Sequence, residues 1–203
     1  MAGTRTTELQ AVNTMLSAVG EPPINNLEGN KNADAAIARN ILTEISREVQ
    51  AMGWHFNTQD KVNFNPHPTT KEIEIPESVM RIDLDQTNST SDSRDVTQRG
   101  PKLFDRTNNT YEFDSKVVAR VTYALDWDEL PEPVRRYVTV KGARVFQDRM
   151  VGSEKHHGFS REDEVRALSL LKEFEGDTAD TSIFDNYDIY RIVARTDTTG
   201  RIS

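Results

Sequence analysis

In a chain of 203 residues without cysteine, the densest group of side chains able to do chemistry is Asp126-Trp127-Asp128-Glu129. Paired carboxylates beside an aromatic ring suit glycan hydrolysis, where two acids face each other across a cleft of about 5 to 10 Å. The same residues fall where a strand-like run gives way to a helical one. There Asp128 or Glu129 would cap the helix and favour its positive end, while Trp127 anchored the junction in the core. The acids of "REDEVR", from Arg161, have the same account as a helix's first turn.

Other chemistry finds little material. The histidines are His55, His67, His156 and His157, with neither an HExxH spacing nor a thiolate to complete a zinc site. Ser153 and His156 are close only in sequence, and no GxSxG, GxxxxGK[ST] or GxGxxG run occurs. The expectation is no catalytic residue, no metal and no cofactor, with the acids at Asp126–Glu129 as the alternative.

The elements that must position these residues follow from periodicity. Leu9, Val12, Leu16 and Val19 mark a first helix with Thr7 and Gln10 as a capping box. Gly20 supplies a left-handed end, Pro22 and Pro23 forbid continuation, and Gly29 permits a reversal. Asn32 or Asp34 then caps a longer helix with a stripe of Ile37, Ile41, Ile45, Val49 and Met52, closed by Gly53. From Trp54 the texture alternates: "WHFNTQDKVNFNP", "EIEIPESVMRIDLD" and "KVVARVTYAL" read as strands of one antiparallel sheet of four or five, with a hairpin turn at 107–109. Residues 86–101, rich in turn formers and charge, read as a mobile loop. Asn88-Ser-Thr and Asn108-Asn-Thr match a glycosylation pattern but mark polar turns in a chain without a secretion signal.

"LPEPVRRYVTVKGARVFQDRM" returns to helix with prolines at its start. Its apolar residues and its charges, Arg135, Arg136, Lys141, Arg144 and Arg149, are spread around the axis, so it should touch neighbours on several sides. Gly142 and Ala143 would let another backbone approach. A last helix carries Val165, Leu168, Leu171 and Phe174 and ends at Gly176. The remainder, with Tyr187 and Tyr190, has no period and reads as an extended arm. The fold class is α+β: a bundle of about four helices carrying an inserted antiparallel sheet. Residues 1–57 are the N-terminal helical hairpin, 58–127 the sheet insertion, 128–176 the completing helices and 177–203 the arm.

The net charge is −8, divided as −3, −1 and −4 over residues 1–60, 61–150 and 151–203. No segment is a basic footprint for gripping DNA, although the five basic residues of the third long helix would form one if they shared a face. No apolar run is long enough to cross a bilayer, and "MAGTRTTELQ" lacks a signal-peptide core. The expectation is a protein made in the cytoplasm.

Residues 17–57, "SAVGEPPINNLEGNKNADAAIARNILTEISREVQAMGWHFN", resemble the N-terminal signature of the tail tubular protein A family, the head-to-tail adaptors of short-tailed, autographivirus-type phages. The likeness rests on Gly20-Glu21-Pro22-Pro23, Leu27-Glu28-Gly29, Asn32-Ala33-Asp34-Ala35 and the exit Gly53-Trp54, Phe56-Asn57. It continues more weakly through "FDRTNNTYEFDS", "DWDELPEPVRRYVTVKGARVFQDRMVGS" and the acidic last helix. The resemblance implies a virion protein forming a twelvefold ring under the portal, with the nozzle protein (tail tubular protein B) below. Tail fibres attach near that junction in such phages, and DNA passes through the channel without specific binding. A monomer before docking is compatible with the sequence. On this reading the lateral interface uses the first two helices and the arginine-bearing third, and charge reversal at Arg144 or Arg149 weakens the ring. Tyr187 and Tyr190 in the arm, the 86–101 loop and the hairpin near Asn108 meet portal or nozzle. Gly20, Pro22, Pro23, Gly29, Gly53 and Trp54 build structural turns.

Overall fold

The computed structural model describes residues 5–29, 31–84, 95–151 and 161–178. Four helices carry two small antiparallel sheets, an α+β arrangement. The helices are α1 (Glu8–Ala18), α2 (Ala33–Ala51), α3 (Glu132–Val151) and α4 (Arg161–Thr178); the strands are β1 (Thr58–Phe64), β2 (Val79–Leu84), β3 (Val96–Arg99), β4 (Lys102–Asp105) and β5 (Val117–Tyr123). None of the described helices is long and apolar enough to cross a membrane.

The capping box stands as read: Thr7 Oγ1 accepts the Gln10 N–H, and Gln10 Oε1 accepts the Thr7 N–H. Asn32, not Asp34, caps α2, its Oδ1 accepting the N–H groups of Asp34 and Ala35. Gly20 takes φ +83°, Gly29 +67° and Gly53 +76°, left-handed conformations in which a Cβ would be strained. Asn13 fixes the turn between α1 and α2, exchanging two hydrogen bonds of 2.9 and 2.8 Å with the backbone of Ile24. Ile24 and Leu27 then pack on the helical core.

Two stripes differ from expectation. Ile37 on α2 and Met52 just after it are exposed, while Ala38, Ile41, Leu42, Ile45 and Val49 are buried. Residues four apart advance about 400°, so the stripe slips about 40° per step and Ile37 at its start turns out of the seam, whereas Met52 lies beyond the last residue of the helix. Ala167, Leu171 and Glu175 form the buried line of α4, and Val165 is exposed because a three-residue spacing slips faster in the opposite sense. α3 is central, packing against α1, α2 and α4. Val134, Tyr137, Val138, Val140, Ala143 and Phe146 are all buried, which accounts for apolar residues on every side of it.

Gly142 does not bring two backbones together. A Cβ placed there would meet Met15 at 3.5 Å and Leu42 at 3.8 Å, ordinary contact with side chains. Because glycine within a helix is less favourable than alanine by about 0.5–1 kcal/mol, Gly142→Ala should stabilise the chain by about that amount in urea unfolding. Destabilisation would mean that the α1–α2–α3 seam admits no further atom.

The strands form two sheets, not one: a three-stranded sheet of order β1-β5-β2 and the hairpin β3–β4. Bulges interrupt both pairings of β5, and the β1 bulge holds Lys61 at φ +59°. A register shift bends a strand and limits how far a flat sheet grows. The loop expected at 86–101 is a strand over its last part, because Val96–Arg99 pairs with Lys102–Asp105 around Gly100-Pro101; residues 85–94 lie outside the described set. The second turn, at 106–109, is held by buried Asp105, whose carboxylate accepts from the Thr107 N–H, the Asn108 N–H and Asn108 Nδ2. Phe64, Ile73, Ile75, Leu103, Phe113 and Val121 belong to a sheet core distinct from the helical one.

Candidate functional site

The two cores meet at the Gly53-Trp54-Phe56-Asn57 run. A single 3₁₀ turn at His55–Asn57 lets Asn57 reach both sides. Its Nδ2 donates to Gln50 O in α2 (2.9 Å) and to Tyr123 O at the end of β5 (2.8 Å), while Oδ1 accepts the Trp54 N–H (2.9 Å). Gln50, seven residues earlier near the end of α2, repeats the device: its side-chain amide exchanges bonds of 2.7 and 3.1 Å with the backbone of Leu125. Trp54 Nε1 closes α2 by donating to Val49 O. Gly53 lies so near Thr122 that a Cβ would meet its hydroxyl at 3.3 Å. These groups are satisfied by one another and out of water, so bundle and sheet are held in one relative orientation. The sequence marked Gly53 and Trp54 as a turn but missed Gln50, a polar residue directly beside Val49 on the buried line.

At the second junction the carboxylates do not face each other across a cleft. Glu129 turns its carboxylate back onto the Asp126 N–H (3.1 Å), and the Asp128 side chain is 93% exposed. Only Asp126 lines the adjoining groove of about 310 Å³, whose other acid, Glu8, is ion-paired with Arg39 at 2.9 Å. Trp127 donates Nε1–H to Thr6 O, anchoring the junction as one sequence reading had it. Asp128 and Glu129 serve the 3₁₀ turn Trp127–Glu129, one element before α3.

The five basic residues of α3 share no face. Arg135 lies inside its own chain, its side chain 3% exposed, and donates to Leu130 O (2.8 Å), Thr6 O (2.8 Å) and Asp128 O (2.7 Å). Arg136 is exposed. Lys141 pairs with Glu48 of α2, Arg149 with Glu44 of α2, and Arg144 with both Glu164 of α4 and Asp148. Hydrogen bonding to Glu164, with its charge, holds the Arg144 guanidinium above its ordinary range, and Arg149 in the same way draws the Glu44 carboxyl below its own. The pattern was visible in sequence only as scatter, because the partners are supplied by helices distant along the chain.

Arg144→Glu would set a carboxylate against Glu164 and Asp148. It should loosen α4 at a cost of about 1–2 kcal/mol, seen as faster hydrogen exchange along 161–178. Exchange unchanged there would show that α4 is held by its apolar line alone. The other end of α4 is tied by Glu175, whose Oε2 accepts the His55 N–H at 2.5 Å. Its place in the 167–171–175 spacing was the one available signal for this residue.

Tyr187 and Tyr190, with Ser153, His156 and His157, lie outside the described residues. Among the described residues no cluster of histidines and carboxylates could hold a metal ion.

Comparison with known proteins gives this geometry its context. The family model described as tail tubular protein matches residues 9–181, both helix pairs and the sheets between them included. Tail tubular protein A of Klebsiella phage KP34 is 26% identical over 168 residues, covering 82% of this chain and 86% of that protein. A fold in which the polar hub and the arginine pairs serve cohesion accords with a structural part, and the chain belongs to the tail tubular protein family, structural proteins of the phage tail.

Proposed function

We propose that this chain is a subunit of a head-to-tail adaptor ring, seated between portal and nozzle and surrounding the path by which DNA leaves, and that it acts without catalysis. One observation carries the reading. Large apolar side chains are exposed on two different elements flanking α3: Ile37 (39%) and Met52 (52%) on or just after α2, Val165 (56%) and Leu170 (53%) on α4. Two unlike faces of one subunit are what a head-to-tail contact needs, and such contacts close into rings. The lateral surfaces are therefore placed on the outer sides of α2 and α4, while α3, sheathed except at Arg136 and its last turn, keeps the two apart.

The DNA path fits the charge. Arg135, Lys141, Arg144 and Arg149 of α3 are occupied by carboxylates or carbonyls of the chain itself, and the net charge is −8, so a duplex would slide past instead of being held. The turn at 106–109 and residues 86–94 and 179–203 remain for portal, nozzle and fibre. The glycan hydrolase alternative at Asp126–Glu129 draws no support from a groove with a single one of its acids.

The decisive measurement is oligomer mass with and without the portal protein, together with copy number in the particle. Leu170→Glu alters a side chain already more than half exposed. It should leave the unfolding midpoint within experimental error while reducing ring formation at least tenfold. An unchanged ring population would remove α4 from the lateral surface, and salt-dependent binding of duplex DNA would overturn the passive channel.

A further inference from the structure

Glu175 occupies a position that an apolar side chain would fill at lower cost. It ends the buried line of α4 after Ala167 and Leu171 and is only 9% exposed. Its Oε2 accepts the His55 N–H at 2.5 Å, while Oε1, equally enclosed, is among the described residues the buried side-chain oxygen with no hydrogen-bond partner. A carboxylate held out of water with half of its acceptors unmet destabilises the contact it belongs to, and replacing such a group by an apolar one is often neutral or stabilising.

We infer that Glu175 makes the last two turns of α4 a releasable latch, closed on the His55–Asn57 turn in the isolated subunit and opened when the subunit joins its partners. The loose hold stands on the geometry alone; the opening on assembly rests on the ring reading of the preceding section.

The two ends of α4 are held differently. Near its start, Arg144 pairs with Glu164, and Ala167 and Leu171 are buried. Beyond Leu171 the one buried residue of α4 is Glu175 itself, and the neighbour there is the 3₁₀ turn. Opening that end would hydrate the carboxylate. It would also turn the His55 N–H to water, which is at hand because His55 is exposed, so the broken bond is replaced on both sides. Thr178 Oγ1 donates to Phe174 O at 2.6 Å, so the helix end is closed by its own side chain and can leave as helix.

The movement has a use. Residues 179–203, assigned above to portal, nozzle and fibre, begin where α4 ends. Lys172–Thr178 spans about 10 Å as helix, so opening shifts that starting point by a distance of the same order. A partner that engages those residues then shifts a local equilibrium held by few contacts instead of breaking a packed core.

The sign of two substitutions tests the latch, because removing a carboxylate that simply fastened α4 would speed exchange. Glu175→Leu should slow hydrogen exchange across 172–178 at least tenfold in the isolated chain. Glu175→Gln, which keeps an acceptor for the His55 N–H and carries no charge, should slow it at least threefold. Both should lower the copy number incorporated into particles at least threefold. Exchange no slower in Glu175→Leu would overturn the latch, and slowing in Glu175→Leu alone would overturn buried charge as its cause. Slowed exchange with wild-type incorporation would overturn the opening on assembly. A wild-type chain that forms no ring with the portal protein would overturn the ring reading and that opening together, while exchange still decides the latch.

Discussion

Arg135→Met should cost the folded chain about 3–5 kcal/mol, the loss typical when a buried charged partner is removed and its acceptors are left behind. The guanidinium is enclosed, and its three donors are aimed at the carbonyls of Thr6, Asp128 and Leu130. Methionine fills much of the volume and satisfies none of them. Thr6 O keeps Trp127 Nε1, but the other two carbonyls lose a charge-assisted donor. The N-terminal segment should loosen as well, since the Thr6 N–H and hydroxyl are held by Glu132 at the start of the same helix. Urea unfolding measures the loss, and hydrogen exchange at the start of α1 localises it. A variant with unchanged midpoint but impaired assembly would return Arg135 to the subunit interface, where its position in a basic helix first suggested it belonged.

Asn57→Asp should be comparably severe, again about 3–5 kcal/mol, while changing almost no volume. The native amide donates to Gln50 O and Tyr123 O, and a carboxylate in its place would turn an acceptor toward both carbonyls at a site only 2% exposed. The cost should fall on the coupling between bundle and sheet. Exchange protection is expected to decline at the end of α2 and along β5 before it declines in the centre of α3. Thermal unfolding gives the magnitude. Asn57→Leu serves as the neutral comparison, losing the same hydrogen bonds without adding a charge. Equal losses in the two variants would show that unmade bonds, not charge burial, set the cost.

Local features of the fold were legible before any coordinates. The Thr7–Gln10 capping box, the left-handed glycines at 20, 29 and 53, the prolines opening α3 and the alternation of Ile73 and Ile75 each depend on neighbours within a few residues. Errors arose where long-range partners decide. Ile37 at the start of the α2 stripe turns outward, and the last part of an apparent loop becomes β3 because β4 is there to pair with it. The site followed the same division. Gly53 and Trp54 were marked as a turn, but the second role of Asn57, joining α2 to a strand 66 residues later, is invisible in its own surroundings.

By itself the sequence determined the α+β class, the helix ends and turns, the absence of a thiol framework, the acidic balance and the family, because these rest on composition, local backbone preference or an ordered run of residues. Only the tertiary structure decided which charges are already spent. Arg135, Lys141, Arg144 and Arg149 read alike in the sequence as a basic helix. Packing sets one against buried carbonyls and brings the carboxylates of Glu48, Glu164 and Glu44 to the other three. Electrostatic pairing depends on distance through space, and the acids that neutralise these residues come from helices up to 105 positions away.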